Sequence, residues 1–132
     1  MRPLTVVVPT YNEFSNLSSL IDALVELSLP NLKILIVDDA SPDGTGRLAD
    51  DLVGRMRGTL SVIHRSGKLG LGSAYLKGFQ AAIQAGAQAI GQMDADFSHS
   101  PSYLPEFLQR LESTDAVFGS RYVTGGRLDE RW

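Results

Sequence analysis

Apolar runs and helical-period stretches alternate along this chain. Leu4-Thr5-Val6-Val7-Val8 is a β-branched run and predicts a first strand stopped by Pro9. Leu17, Leu20, Ile21, Leu24, Val25 and Leu27 follow at helical spacing, with Asn12 or Ser15 as candidate caps, until Pro30-Asn31 breaks the pattern. Leu32 to Val37 predicts a second buried strand ending in Asp38-Asp39. The turn Ser41-Pro42-Asp43-Gly44-Thr45 opens a helix to about Met56. Leu60-Ser61-Val62-Ile63 predicts a third strand. The glycine-rich loop Gly67 to Gly72 then leads into a helix to about Gln84. Ala87 to Met93 predicts a fourth strand ending at Asp94. Pro101 or Ser102 starts a helix through Leu104, Phe107, Leu108 and Leu111, and Asp115 to Gly119 predicts a fifth strand.

Strands alternating with helices imply an α/β fold with a parallel sheet covered on both faces. All carboxyl ends then lie along one edge, where ligands bind. Pro9 to Glu13, Asp38-Asp39, Arg65 to Gly72, Asp94-Ala95-Asp96 and Ser120-Arg121-Tyr122 all fall at such ends. That convergence predicts a site. Asp94 and Asp96 in extended backbone would point to one side and offer hard oxygens to Mg²⁺ or Mn²⁺ bridging nucleotide phosphates. The alternative for Asp96 or Ser98 is a cap on the next helix. Asp38 and Asp39 could accept hydrogen bonds from a ribose or a base, or be solvated beside a turn capped by Ser41 or Asp43.

The Gly67 to Gly72 loop is neither a P-loop nor a dinucleotide fingerprint. Leu69 follows Gly67-Lys68, and Tyr75 stands where a third glycine belongs. It still permits close backbone approach to an anion, with Arg65 and Lys68 supplying positive charge. His99 has a structural reading beside a phosphate- or metal-assisting one. Arg121 could clamp a phosphate in bidentate fashion or be a surface arginine. Tyr11, Tyr75 and Tyr122 could stack, hydrogen-bond or fill core.

Composition narrows the classes. The 132 residues suffice for one domain with a real core, and 43% hydrophobic with 20% charged residues is ordinary for a globular protein. A net charge of −3 argues against a nucleic-acid partner. The absence of cysteine excludes disulfides and thiolate chemistry. No apolar run approaches the roughly 20 residues of a membrane span, and no signal-peptide pattern opens the chain. A cytoplasmic location is the expectation.

In order along the chain stand Val8-Pro9-Thr10-Tyr11-Asn12-Glu13, Val37 to Thr45, Gly70-Leu71-Gly72-Ser73-Ala74-Tyr75, Met93 to His99 and Gly119-Ser120-Arg121-Tyr122. This set resembles the family-2 glycosyltransferases, specifically the dolichyl/polyprenyl-phosphate mannosyltransferase branch. The resemblance implies a three-layer, Rossmann-like GT-A fold with a mostly parallel sheet. It implies one nucleotide-sugar-binding catalytic domain over residues 1–132, truncated at the carboxyl end relative to the family. It implies inverting transfer of mannose from GDP-mannose to a polyprenyl monophosphate, with Mg²⁺ or Mn²⁺, at the cytoplasmic face of a membrane. By the same resemblance, Pro9, Tyr11 and Glu13 would line the nucleotide pocket; Lys68, read from the loop's charge, is a further candidate for binding the nucleotide sugar. Asp38 would meet the base and Asp39 the ribose side. Asp94 and Asp96 would hold the metal and diphosphate, and Arg121 the acceptor phosphate. Some relatives have glutamine, a further metal ligand, where Ser98 stands. Two alternatives stay open: a family-2 transferase using a UDP-sugar, and a non-catalytic receiver-like α/β module. The latter needs an acidic pair after the first strand, where this chain has Pro9-Thr10-Tyr11.

Overall fold

The computed structural model describes residues 2–119. Strand β1 (Leu4–Thr10) leads to helix α1 (Phe14–Glu26), then β2 (Lys33–Asp38), α2 (Thr45–Arg55), β3 (Leu60–His64), α3 (Leu71–Gln84) and β4 (Ala89–Gln92). A 3₁₀ turn (Pro101–Tyr103) runs into α4 (Leu104–Arg110). The strands form one sheet in the order β3-β2-β1-β4, and every described pairing is parallel.

The apolar runs are nearly continuous because both sheet faces are covered. Val6, Val8, Ile34 and Ile36 point to one face, where Leu17, Leu20, Ile21 and Leu24 of α1 pack with Ala49 and Leu52 of α2 and Leu104 and Leu108 of α4. Val7, Leu35 and Val37 point to the other, under Ala74 and Tyr75 of α3. The result is three layers. Gly78 lets α3 lie close to the sheet: a Cβ there would sit 2.2 Å from Val7 Cγ1.

Three expectations need correction. Pro9 does not stop β1, which continues to Thr10. Val7 O accepts from Met93 N (3.1 Å) and Thr10 O from Asp39 N (3.1 Å), so alternate residues turn their backbones to β4 and β2. Pro9 therefore faces the β4 side, beyond the last paired position, Val7 with Gln92. Its missing N–H costs no ladder bond there. Second, residues 115–119 are irregular, and Phe118 is 88% exposed. An apolar segment becomes a strand only where a neighbour takes its backbone, and β4 has no second partner among the described residues. Third, neither Asn12 nor Ser15 caps α1. Asp43 Oδ2 accepts from Phe14 N (3.1 Å) and Thr45 Oγ1 from Glu13 N (3.0 Å), so the start of α1 is held from the loop before α2.

The strand order also separates two architectures. Receiver and flavodoxin-like sheets run 2-1-3-4-5, whereas 3-2-1-4 is the order of the Rossmann half-sheet, whose crevice opens where the order reverses, between β1 and β4.

Candidate functional site

A cleft of about 200 Å³ opens at that reversal point. Pro9, Thr10, Tyr11 and Glu13 line it from the end of β1, Asp39 from the end of β2, Lys68, Gly70, Leu71 and Ala74 from the loop and start of α3, and Asp94, Ala95 and Asp96 from the segment after β4. Seven of the sequence-predicted residues thus meet in one place: Pro9, Tyr11, Glu13, Asp39, Lys68, Asp94 and Asp96. Asp38 does not join them. Arg121 lies outside the described residues.

The two neighbouring aspartates at the end of β2 part company because consecutive residues of an extended chain point opposite ways. Asp38 is 2% exposed and accepts from Thr10 Oγ1 (2.7 Å), Ser41 Oγ (2.6 Å) and Ser41 N (3.2 Å). It ties β1 to the β2–α2 loop and faces a separate hollow of about 700 Å³ with His64 and Asp50. Asp39 is 5% exposed and gripped bidentately by Arg65, Nε to Oδ1 at 2.6 Å and Nη2 to Oδ2 at 2.8 Å. Hydrogen bonding to Asp39 holds the Arg65 guanidinium pKa above its ordinary value. Arg65 also donates to Ser73 Oγ (2.6 Å) and Gly70 O (3.2 Å), and Leu69 N donates to Asp39 (3.3 Å). Arg65 is therefore not free to meet an anion. It shapes the glycine-rich loop around Asp39. Lys68 instead lies over the Tyr11 ring, 4.5 Å from its centroid, as a cation–π pair at the cleft.

Asp94-Ala95-Asp96 is not extended as expected. The ladder ends with Met93 N on Val7 O, and a turn begins at Ala95. Alternation persists locally, with Met93 and Ala95 buried and Asp94 and Asp96 half-buried toward the cleft. The turn is closed by Ser98 N on Asp96 Oδ1 (3.0 Å) and by Asp94 N on His99 Nδ1 (3.1 Å), while Phe97 takes a left-handed φ of 64°. His99 is thus the structural brace of the alternatives above, its Nδ1 accepting and its proton on Nε2 when neutral.

Tyr75 combines the roles that the sequence leaves open for it. It fills core, stacks on Phe79 (centroids 5.9 Å apart, planes at 26°) and donates its hydroxyl to Asp94 Oδ1 at 2.6 Å. Burial, with Asp94 beside it, pushes its phenol well above the usual tyrosine range, so it remains a donor. Its place in the third-glycine position of a failed fingerprint was the available signal.

Among the described residues no three His, Cys, Asp or Glu side chains gather as a metal cage. Two hard carboxylates at a cleft fit a different demand. Mg²⁺ or Mn²⁺ held by one or two carboxylates takes its remaining ligands from phosphates and water.

Residues 5–132 match the model of the family described as glycosyl transferase family 2. The chain belongs to that family. A polyprenol monophosphomannose synthase of Mycolicibacterium smegmatis is 47% identical over 124 residues, 93% of this chain and 46% of the relative. An undecaprenyl-phosphate mannosyltransferase of Micrococcus luteus is 43% identical over 128 residues, 97% and 51% of the two chains. This family-2 chain spans about half the length of these curated relatives. Among solved structures, a mannosyltransferase of Pyrobaculum calidifontis in complex with GDP-Man and Mn²⁺ superposes with a TM-score of 0.71 at 27% identity, over 84% of this chain and 33% of the other. The fold is the GT-A fold of these transferases. The Mn²⁺ in that complex supports divalent-metal use. Among the described residues no helix is long and apolar enough to cross a membrane.

Proposed function

We propose that this chain is the nucleotide-sugar half of an inverting, metal-dependent mannosyltransferase. It would move mannose from GDP-mannose to a polyprenyl monophosphate at the cytoplasmic face of a membrane. The observation that carries the reading is the meeting of Asp94, Asp96, Asp39, Tyr11 and Lys68 in one cleft at the sheet's reversal point. The named activities of the relatives supply the sugar and the lipid.

In this reading Tyr11 and Lys68 wall the nucleotide with Pro9 and Glu13, and Asp39, pre-set by Arg65, accepts from the nucleoside. Asp38 acts behind it as a structural tie. Asp94 and Asp96 would hold the cation, which when bound would neutralise charge on the departing diphosphate. In the transfer, the bond from the mannose anomeric carbon to the GDP phosphate oxygen breaks and a bond to an acceptor phosphate oxygen forms on the opposite face. The acceptor is already anionic near neutral pH, so no strong general base is required. Positioning and charge stabilisation carry the rate. Arg121 would orient the acceptor phosphate.

Calorimetric competition among GDP, UDP and their mannose, glucose and N-acetylglucosamine conjugates, with and without Mn²⁺, tests this. The expected result is Mn²⁺-dependent binding of GDP and GDP-mannose that Asp94→Ala and Asp96→Ala abolish. Preference for UDP conjugates, or binding indifferent to both substitutions, would overturn it.

A further inference from the structure

We propose that Tyr75 is a positioning residue for the cation site: its hydroxyl fixes the orientation of Asp94 and so sets how tightly the cleft takes a divalent cation together with a nucleoside diphosphate. The inference rests on the assignment of Asp94 and Asp96 above, and adds a residue from another layer of the fold.

Three observations converge. Tyr75 O–H to Asp94 Oδ1 measures 2.6 Å, the short range of a hydroxyl on a carboxylate. The donor itself is immobilised: Tyr75 is 8% exposed, its ring lies against Phe79 and it belongs to the cluster of Val7, Leu35 and Val37. The helix that carries it is set at a fixed height, because Gly78 brings α3 down onto Val7. Asp94, by contrast, stands just past the end of β4, where ladder bonds no longer hold the backbone, and is braced there by His99. An aspartate side chain in such a place has several staggered wells open to it. A rigid donor on one oxygen selects one of them, so less freedom is lost when the carboxylate meets a cation.

A buried tyrosine needs a partner for its hydroxyl in any case, so the rival explanation is packing alone. The two separate in the metal titration. Mn²⁺ is titrated in the presence of GDP, by electron paramagnetic resonance of the free ion, into the 132-residue chain and its Tyr75→Phe, Phe79→Leu and Asp94→Ala variants. Tyr75→Phe should raise the Mn²⁺ dissociation constant by about 10-fold or more, leave the melting midpoint of the metal-free chain near that of the parent, and regain GDP binding at excess Mn²⁺. Phe79→Leu, which loosens the stack and keeps the hydroxyl, should lower the midpoint and raise the Mn²⁺ constant much less than Tyr75→Phe does. An unchanged Mn²⁺ constant in Tyr75→Phe overturns the proposal while the site assignment stands. So does an affinity that falls only in step with the melting midpoint across both variants. Unchanged Mn²⁺ binding in Asp94→Ala overturns the site assignment and this inference together.

Discussion

Two cavities share the carboxyl edge of one sheet, and the smaller gathers the candidate site residues. The hollow beyond β2 and β3 is about 700 Å³ and the cleft between β1 and β4 about 200 Å³. The hollow's acidic groups are largely turned on their neighbours. Asp38 is held by Thr10 and Ser41, His64 pairs with Asp50 at 2.8 Å, and Asp43 takes the Phe14 and Thr45 N–H groups. The cleft collects groups from four separate chain segments, two of them carboxylates beside a turn and one a lysine over an aromatic ring. Volume measures how far the loops stand apart. Strand order decides which loops stand apart with nothing crossing between them.

The adjacent aspartates should differ most between the two cavities. Asp38→Ala removes the acceptor of three hydrogen bonds in a site shut off from water and should cost about 2–3 kcal/mol of stability, read in urea titration, with GDP affinity in the folded fraction near the parent's. Asp39→Ala should show the reverse emphasis, a marked loss of GDP affinity by calorimetry. A nucleotide-binding loss in Asp38→Ala alone would make the hollow the site.

Gly78→Ala acts on the cleft from the α3 layer. Alanine gains up to about 1 kcal/mol in helix propensity, but its Cβ would meet Val7 at 2.2 Å. Overpacking of about 1–3 kcal/mol should win. The expected outcome is a lower melting midpoint together with weaker Mn²⁺-dependent GDP binding, because α3 carries both Tyr75 and the Gly70-Leu71 wall of the cleft. The hollow, which α3 does not touch, should be unaffected.

The smallest effect belongs to Asp43, at the hollow's rim. Burial raises its pKa, but hydrogen bonds from the Thr45 side chain and from the backbones of Phe14 and Thr45 outweigh that and leave it below the ordinary 3.8. A carboxyl lowered in the folded state stabilises above its unfolded pKa and loses that contribution as pH falls through the folded value. The urea midpoint should therefore fall below pH 3.8 through the loosening of α1 and α2 starts, and Asp43→Asn should flatten that part of the profile. Exposure keeps the effect slight.

Much of the fold was legible because its signals are local. Periodicity placed four strands and four helices in order, since β-branched runs and 3.6-residue spacing report on their own segments. The failures share another cause. The expected strand at residues 115–119 needed a partner that the described sheet does not provide. Pro9 needed the register of β4 before its tolerance could be seen. The caps of α1 came from Asp43 and Thr45, a whole strand away in sequence. Within the site, residue types and strand-end positions were readable. The division of Asp38 from Asp39, the capture of Arg65 and the bond from Tyr75 to Asp94 were not.

By itself the sequence determined the α/β alternation, the edge on which the chemistry gathers, and family membership through ordered motifs. Each of these is written in short spans of residues. The tertiary structure alone decided which carboxylates face the cleft, which are locked as ties, and which helix holds Asp94 in place. Those outcomes depend on strand order and on the height of α3 above the sheet, where the deciding contacts join residues far apart in the chain.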